Sequence, residues 1–424
     1  QIRLLFLDHS AYNFNQQLST FVKKGEKKMD EIKSLMDQSI DNIREELWAL
    51  GDSIYDNPEV ALHEVFASTL LEDWLEQHGF NVTRGLGTMS TAFRATYENG
   101  AGGPSIGLLC EYDALPGLGH ACGHHLQGPC IIAAANAIKN ANIDKPYKLV
   151  IYGTPAEENL AGKITMLEEG CFRDIDVALM MHGSPTTTCD IKSMANYHID
   201  VVFEGKSSHA AINPEKGRSA LDALLLTFQG IEFLREHVPE DSRMHYTVAD
   251  TYNIPANVVP DKAKGSFILR SFNMYTLENI FSRFERIVHG AAEMTETMAT
   301  IKVQSHMAAK IPVLSLNKLL IDCAEEIGAP RISGPRKKPG STDFANVMEI
   351  VPGSCIRVAF VPENAASHSQ EFLANGKAET GHNAIIYGAK VLANAAYEMI
   401  KDDSLLAEIK DEFIRNKNKM KEEA

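Results

Sequence analysis

"LLCEYDALPGLGHACGHH", residues 108–125, decides how the rest of the chain is read. An apolar run ends in Glu111 and Asp113, Pro116 and Gly117 open a turn, and His120, Cys122, His124 and His125 then crowd into six positions. A short apolar run bounded by turn residues is the pattern of a strand buried on both faces, as in a parallel sheet. Side chains just beyond such a strand sit where open α/β sheets bind ligands, because loops converge there without disturbing the packed layers. Three chemistries compete for the segment. Gly117, Gly119 and Gly123 superficially resemble a phosphate-cradling loop, but their spacing is G-x-G-x-x-x-G and a proline opens the turn, so they read as turn residues. Cys122 beside histidines would make a thiol nucleophile with a base. The third reading is part of a metal site.

Outward from this segment the chain alternates helical and extended patterns. "FASTLLEDWLEQHGF" and "CIIAAANAIKNA" have helical spacing, "STAFRATYEN", "SIGLLCEYD", "YKLVIYG" and "DVALMMHG" read as strands, and "AGKITMLEEGCF" is a helix. This predicts an α/β sandwich. From about Met194 the rhythm becomes strand, helix, two strands, helix, strand, the β-α-β-β-α-β plan of a smaller α+β domain inserted into the first. The expected division is 29–193 and 310–424 for the larger domain and 194–309 for the insertion, in keeping with a 424-residue chain that exceeds one core of ~250 to 300 residues. A terminal helix is expected from about His382, with fraying in the Lys/Glu-rich end after Ile414. Residues 1–28 lack the features of a signal peptide. Helical spacing begins at Met29, which reads as the natural start, with an extension ahead of it.

A net charge of −15 disfavours nucleic acid and anionic membranes as partners, and no apolar run approaches the ~18 residues of a membrane span. Seven scattered cysteines, an odd number, point to free thiols in a reducing compartment, hence the cytoplasm. The metal reading of the opening segment gains from distant residues. "PAEE" supplies Glu157 and Glu158, "MMHG" His182 and "ASHSQEF" His368. Thiolate, imidazole and carboxylate are the ligands that borderline cations such as zinc and manganese select. In a pair of adjacent carboxylates, one can ligate while the other acts as a general base. Each piece alone is weak, and only the set is informative.

The segments "EYDALPGLGHACGHH", "GTPAEEN…GKI", "DVALMMHG", "GKSSHAAINPEKGRSALDA", "ANVVPDKA", "GSTDFANV" and "SHSQEF" follow one another as in the M20 metallopeptidase family, and the chain resembles its amidohydrolase branch, subfamily D, from about Met29 onward. That branch includes aminobenzoyl-glutamate hydrolases, N-acyl-amino-acid hydrolases and dipeptidases. The resemblance implies an α/β/α catalytic domain and a lid domain that also dimerises, with two divalent ions, zinc or manganese, in the cleft between them. It implies Cys122, His124, Glu158, His182 and His368 as ligands, Glu157 as the general base and Asp113 as a support for the metal site. His209 is implied to stabilise the oxyanion, within the subunit or across a dimer, and Asn257 and Arg270 to hold the substrate's carboxylate. Many relatives have Asp or Asn at the position of His125, which therefore reads as a neighbour of the metal site. Other branches begin the first motif with H-x-D where this chain has Glu111-Tyr112-Asp113, which leaves the role of Glu111 open. The implied activity is hydrolysis of an amide in a small carboxylate-bearing substrate, a dipeptide, with N-acyl amino acids or aminobenzoyl-glutamate as the alternative. A catalytically silent, metal-stabilised binding protein is the reading from another class; the presence of Glu157 argues against it, since binding alone requires no base.

Overall fold

Eleven strands are found in the computed structural model, which describes residues 31–337 and 339–424. They are β1 Asn81–Leu86, β2 Met89–Asn99, β3 Ser105–Cys110, β4 Tyr147–Gly153, β5 Val177–Ser184, β6 Thr188–Cys189, β7 Ala195–Glu204, β8 Arg243–Asp250, β9 Lys262–Ser271, β10 Met298–Met307 and β11 Gly353–Ala359. The start at Met29 and the extension before it lie outside the described residues.

Seven strands form one sheet in the order β1-β2-β4-β3-β5-β11-β6. Its centre, β4-β3-β5-β11, is parallel, and β2 and β6 add antiparallel neighbours. Side chains alternate faces along each strand, and here the alternation separates two cores. Leu108, Leu149, Leu179 and Ile356 join one apolar cluster with the helices Gln127–Asn140 and Glu379–Lys401. Leu109, Val150, Met180 and Cys355 join a second with Met166, Phe172, Phe344 and Val347. Burial on both faces explains why these central strands are almost continuously apolar. The result is the expected α/β/α architecture.

The second sheet, β10-β7-β9-β8, is antiparallel throughout. Every second residue of β9 is buried, and these residues pack with the helices Ala220–Arg235 and Met274–Thr295 in a separate core, so one face of this sheet carries both helices. Strand and helix order reproduce the β-α-β-β-α-β plan.

Two expectations need correction. "NVTRGL", not read as a strand, is β1 and pairs antiparallel with β2. Its polar, largely exposed residues suit an edge strand and lack the apolar alternation by which strands are recognised. The end after Ile414 does not fray, because the helix Asp403–Glu422 is pinned to the body. Leu406, Ile409 and Phe413 are buried, Asn416 Nδ2 donates to Pro312 O at 2.7 Å, and Asn273 Nδ2 donates to Met420 O at 2.7 Å. Among the described residues no helix is long and apolar enough to cross a membrane.

Candidate metal centre

All the residues anticipated as metal ligands lie at the carboxyl end of the parallel strands. The chain leaving β3 carries Glu111 and Asp113, the chain leaving β4 carries Glu157 and Glu158, β5 carries His182 near its end, and the chain leaving β11 carries His368. Between β3 and the next helix the backbone turns through Gly117, Gly119 and Gly123, all at positive φ, in agreement with the turn reading of these glycines. The turn brings Cys122 and His124 back to the strand ends.

The acidic pair is held on strained backbone. Ala156 and Ala161, at φ 65° and 52°, bracket the single helical turn Glu157–Leu160. The left-handed region costs a non-glycine residue roughly 1–2 kcal/mol, so the surroundings must enforce it. Three buried carboxylates do so. Glu64 Oε1 accepts from Ala156 N at 2.9 Å, Asp113 Oδ2 from Glu158 N at 2.9 Å, and Asp343 Oδ2 from Lys163 N at 3.0 Å. Burial, followed by the charge of Asp113, pushes the Glu64 carboxyl up to about 7.

Donor atoms of Cys122, His124 and His182 lie within 4.8 Å of one another, as do those of Cys122, Glu158 and His368 and those of His124, Glu157 and Glu158. Cys122 Sγ is 3.6 Å from His182 Nε2, and Glu158 Oε1 is 3.5 Å from His368 Nε2 and 4.0 Å from His124 Nε2. The tautomers suit ligation. His124 Nδ1 donates to Asp113 Oδ1 at 3.0 Å and His182 Nδ1 to Gly183 O at 2.7 Å, which turns both Nε2 lone pairs toward Cys122 and Glu158. His124 Nε2 and Glu158 Oε1 are buried without a hydrogen-bond partner. Unpartnered acceptors in a set of thiol, imidazole and carboxylate fit a divalent cation. Burial opposes charge on His124, but Cys122, Glu111 and Asp113 outweigh it and hold the pKa well above the ordinary value, so the local field favours a cation. Burial pushes the Cys122 thiol up to about 12, and a cation bound to the thiolate reverses such a penalty.

Glu157 belongs to a second acidic cluster with Glu111 and Asp343. Between those two sits Lys163, fully buried, with Nζ 2.5 Å from Glu111 Oε1 and 2.7 Å from Asp343 Oδ1. Glu111 also accepts from Gln127 Nε2 at 2.8 Å. Burial, then the charges of Glu111 and Asp343, raises the pKa of Glu157 well above the usual range. Lys163 and Asp343 were not anticipated as site residues. They stand inside "GKI" and "GSTDFANV", but a lysine and an aspartate acquire meaning only when the fold joins positions 180 residues apart.

Cys122, Glu157, Glu158, His182 and His368 line a cavity of about 340 Å³, ample for a small ligand. Its remaining wall includes Lys310, Arg336, Arg357, Asp190 and Ser341, also unanticipated. Arg357 lies opposite His182 in the β5–β11 register, with Nη1 3.3 Å from His182 Nδ1. Burial, then Arg357 and His124, holds the His182 pKa well below its ordinary value. His125 faces away from the cavity. It is fully buried, its Nε2 is 3.1 Å from Gly376 O, and its ring meets Tyr55 edge-on.

The residues anticipated in the four-stranded part are placed differently. Arg270, at the end of β9, reaches the cavity rim by donating to Ser341 Oγ at 3.3 Å. His209 and Asn257 are exposed and do not line the cavity. Their loops hold each other instead, with Ala210 N donating to Asn257 O at 2.9 Å.

With this geometry in view, comparison with known proteins places the chain. The model for peptidase family M20/M25/M40 matches residues 108–398. The chain belongs to that family. Its M20 relatives include one of the subunits of p-aminobenzoyl-glutamate hydrolase from Escherichia coli K12, 34% identical over 71% of this chain and 66% of that protein. They also include human Xaa-Arg dipeptidase, 31% identical over 94% of this chain and 95% of the relative. Among solved structures, the Bacillus subtilis YXEP protein, described as a dinuclear metal-binding peptidase of the M20 family, has a TM-score of 0.65 at 18% identity, covering 85% of this chain and 99% of its own. An aminobenzoyl-glutamate utilization protein from Klebsiella pneumoniae has a TM-score of 0.66 at 19% identity, covering 86% and 98%.

Proposed function

We propose that this chain, a metal-dependent amidohydrolase by family membership, cuts an amide bond in a small carboxylate-bearing dipeptide, with Glu157 as general base. The observation that carries the reading is the placement of Glu157 against His124 and Glu158 in the cavity wall, beside a set of buried, unpartnered donors. Cys122, His124, Glu158, His182 and His368 would hold two divalent ions, zinc or manganese, and such ions supply Lewis acidity that activates water and polarises a carbonyl. Glu157 takes the proton of the attacking water and returns it to the leaving amine. Its raised pKa favours the first step, and the same proton is then available for the second. Asp113 fixes the His124 tautomer and the Glu158 backbone, which keeps the base and its neighbour in register. Arg270 holds the substrate's carboxylate. His209 and Asn257 complete the site when the four-stranded lid closes, His209 as donor to the oxyanion and Asn257 to the carboxylate.

N-acyl amino acids or aminobenzoyl-glutamate are the alternative substrates, supported by the similarity to the E. coli hydrolase. We take 29–193 with 310–424 as the catalytic domain and 194–309 as the lid, a division supported by the separate four-stranded sheet. We take the working form to be a cytoplasmic homodimer joined through the lid, where Leu225 and Phe233 expose 49% and 72% of their surface. Sedimentation of the purified protein tests the dimer. The activity is tested by loading the protein with Mn²⁺ or Zn²⁺ and assaying a panel of dipeptides and N-acyl amino acids. Turnover that disappears in Glu157→Gln with metal content unchanged is the expected result. Inactivity across the whole panel, with metal bound, would instead make the chain a silent binding protein.

A further inference from the structure

The cavity wall formed by Lys310, Arg336 and Arg357 carries charge that the reaction above does not use. Both guanidiniums converge on Asp190: Arg336 Nη2 donates at 2.6 Å and Arg357 Nε at 2.8 Å. Asp190 is only 6% exposed, so its single charge is already divided between two partners. Lys310 is 5% exposed, and among the described residues no carboxylate lies within ion-pair distance of its ammonium group. Its backbone is fixed by a hydrogen bond from Lys310 N to Ser193 Oγ at 3.1 Å, and both residues face the cavity. Burying an ammonium group without a counter-ion is unfavourable. The arrangement makes sense when an anion enters the cavity and supplies the missing partner. Burial lowers the Lys310 pKa, an effect that an incoming anion reverses.

Resting on the reading that Arg270 holds the main carboxylate of an amide substrate, we propose that Lys310, flanked by Arg336 and Arg357, is a second carboxylate subsite that selects substrates releasing an acidic amino acid. Arg270 and this wall are linked through Ser341, which bonds to the former and lines the same cavity. One amino acid with two carboxylates, glutamate or aspartate, then meets both positions. A neutral side chain leaves Lys310 unpaired, and a basic one is repelled by three cations facing one carboxylate.

The test is calorimetry of the Mn²⁺-loaded protein with L-glutamate, L-glutamine and L-arginine, together with kcat/KM for the three N-benzoyl amino acids. Glutamate is expected to bind at least about 10-fold tighter than glutamine, the scale of one charge-assisted hydrogen bond, with arginine weakest. In Lys310→Met the glutamate-to-glutamine ratio falls toward one, whereas Lys310→Arg retains most of it. Equal binding of glutamate and glutamine by the wild type, or an unchanged ratio in Lys310→Met, overturns the subsite. The wild-type ratio decides the matter even if a variant fails to fold. If neither the benzoyl amino acids nor any dipeptide of the panel is cleaved while glutamate still binds preferentially through Lys310, the hydrolytic reading falls and the subsite stands. Cleavage without a preference for glutamate removes the subsite and leaves the hydrolytic reading in place.

Discussion

Around Cys122 the candidate ligand atoms lie within 4.8 Å of one another in overlapping groups, on strand ends and strained turns held by buried carboxylates. In the four-stranded part His209 and Asn257 stand exposed on two loops that bind each other, and only Arg270 touches the cavity, through Ser341. The two regions come from one chain but differ in how much of their function is assembled in advance. A centre that must gather several like charges needs rigid enforcement, because buried carboxylates repel unless cations and hydrogen bonds divide them. Lys163 between Glu111 and Asp343 does this on one side of Glu157. On the proposed reading, residues that only meet a substrate complete the site when the lid closes.

The comparison breaks most sharply at Glu157. Glu157→Gln is expected to lose roughly 10²- to 10⁴-fold in kcat with bound metal unchanged by elemental analysis. Loss of metal in that variant would move Glu157 from base to ligand. Next in size, Asp113→Asn disturbs the acceptor for both His124 Nδ1 and Glu158 N, and metal affinity should fall roughly 10- to 100-fold in a chelator competition. On the lid side the effect should be smaller and confined to binding. Arg270→Ala is expected to raise KM about 10-fold for substrates with a free carboxylate while sparing kcat. If amidated substrates suffer equally, Arg270 has a structural role only.

The smallest effect is on stability. Burial holds His120 at about 3. Above pH ~6.5 the ring is neutral in folded and unfolded chains alike; as pH falls from there toward 3, only the unfolded chain takes up the proton, so stability declines across that window. The metal-free protein should therefore melt several degrees lower at pH 5 than at pH 7.5, and His120→Gln should narrow that gap. An identical gap in the variant would show that His120 is not responsible.

Much of the larger half was legible in the sequence because it follows short-range rules. Central strands read as apolar runs, and the ligand candidates stood out as a set, Cys and His residues and a Glu pair near the ends of predicted strands. The neutralising partners were not conspicuous. Lys163, Asp190 and Lys310 have no local pattern that separates them from surface charges, and only the pairing of β5 with β11 puts Arg357 beside His182. β1 escaped for a related reason, since an edge strand needs no apolar face to pair. The helix after Ile414 was misjudged by composition, whereas its order comes from hydrogen bonds to Pro312 and Asn273, far away along the chain.

The chain passes Ser193 just before entering the four-stranded sheet and Lys310 just after leaving it, and these two residues are hydrogen-bonded to each other, with β7 and β10 side by side beyond them. Departure and return thus share one doorway a hydrogen bond wide. The intervening residues are modular in a genetic sense: a short bridge across that doorway could replace them without rerouting any strand of the larger sheet. Insertions or exchanges of the whole segment likewise leave the strand ends that carry the candidate ligands where they are, so this segment can diverge without displacing Cys122, His124, Glu158 or His182.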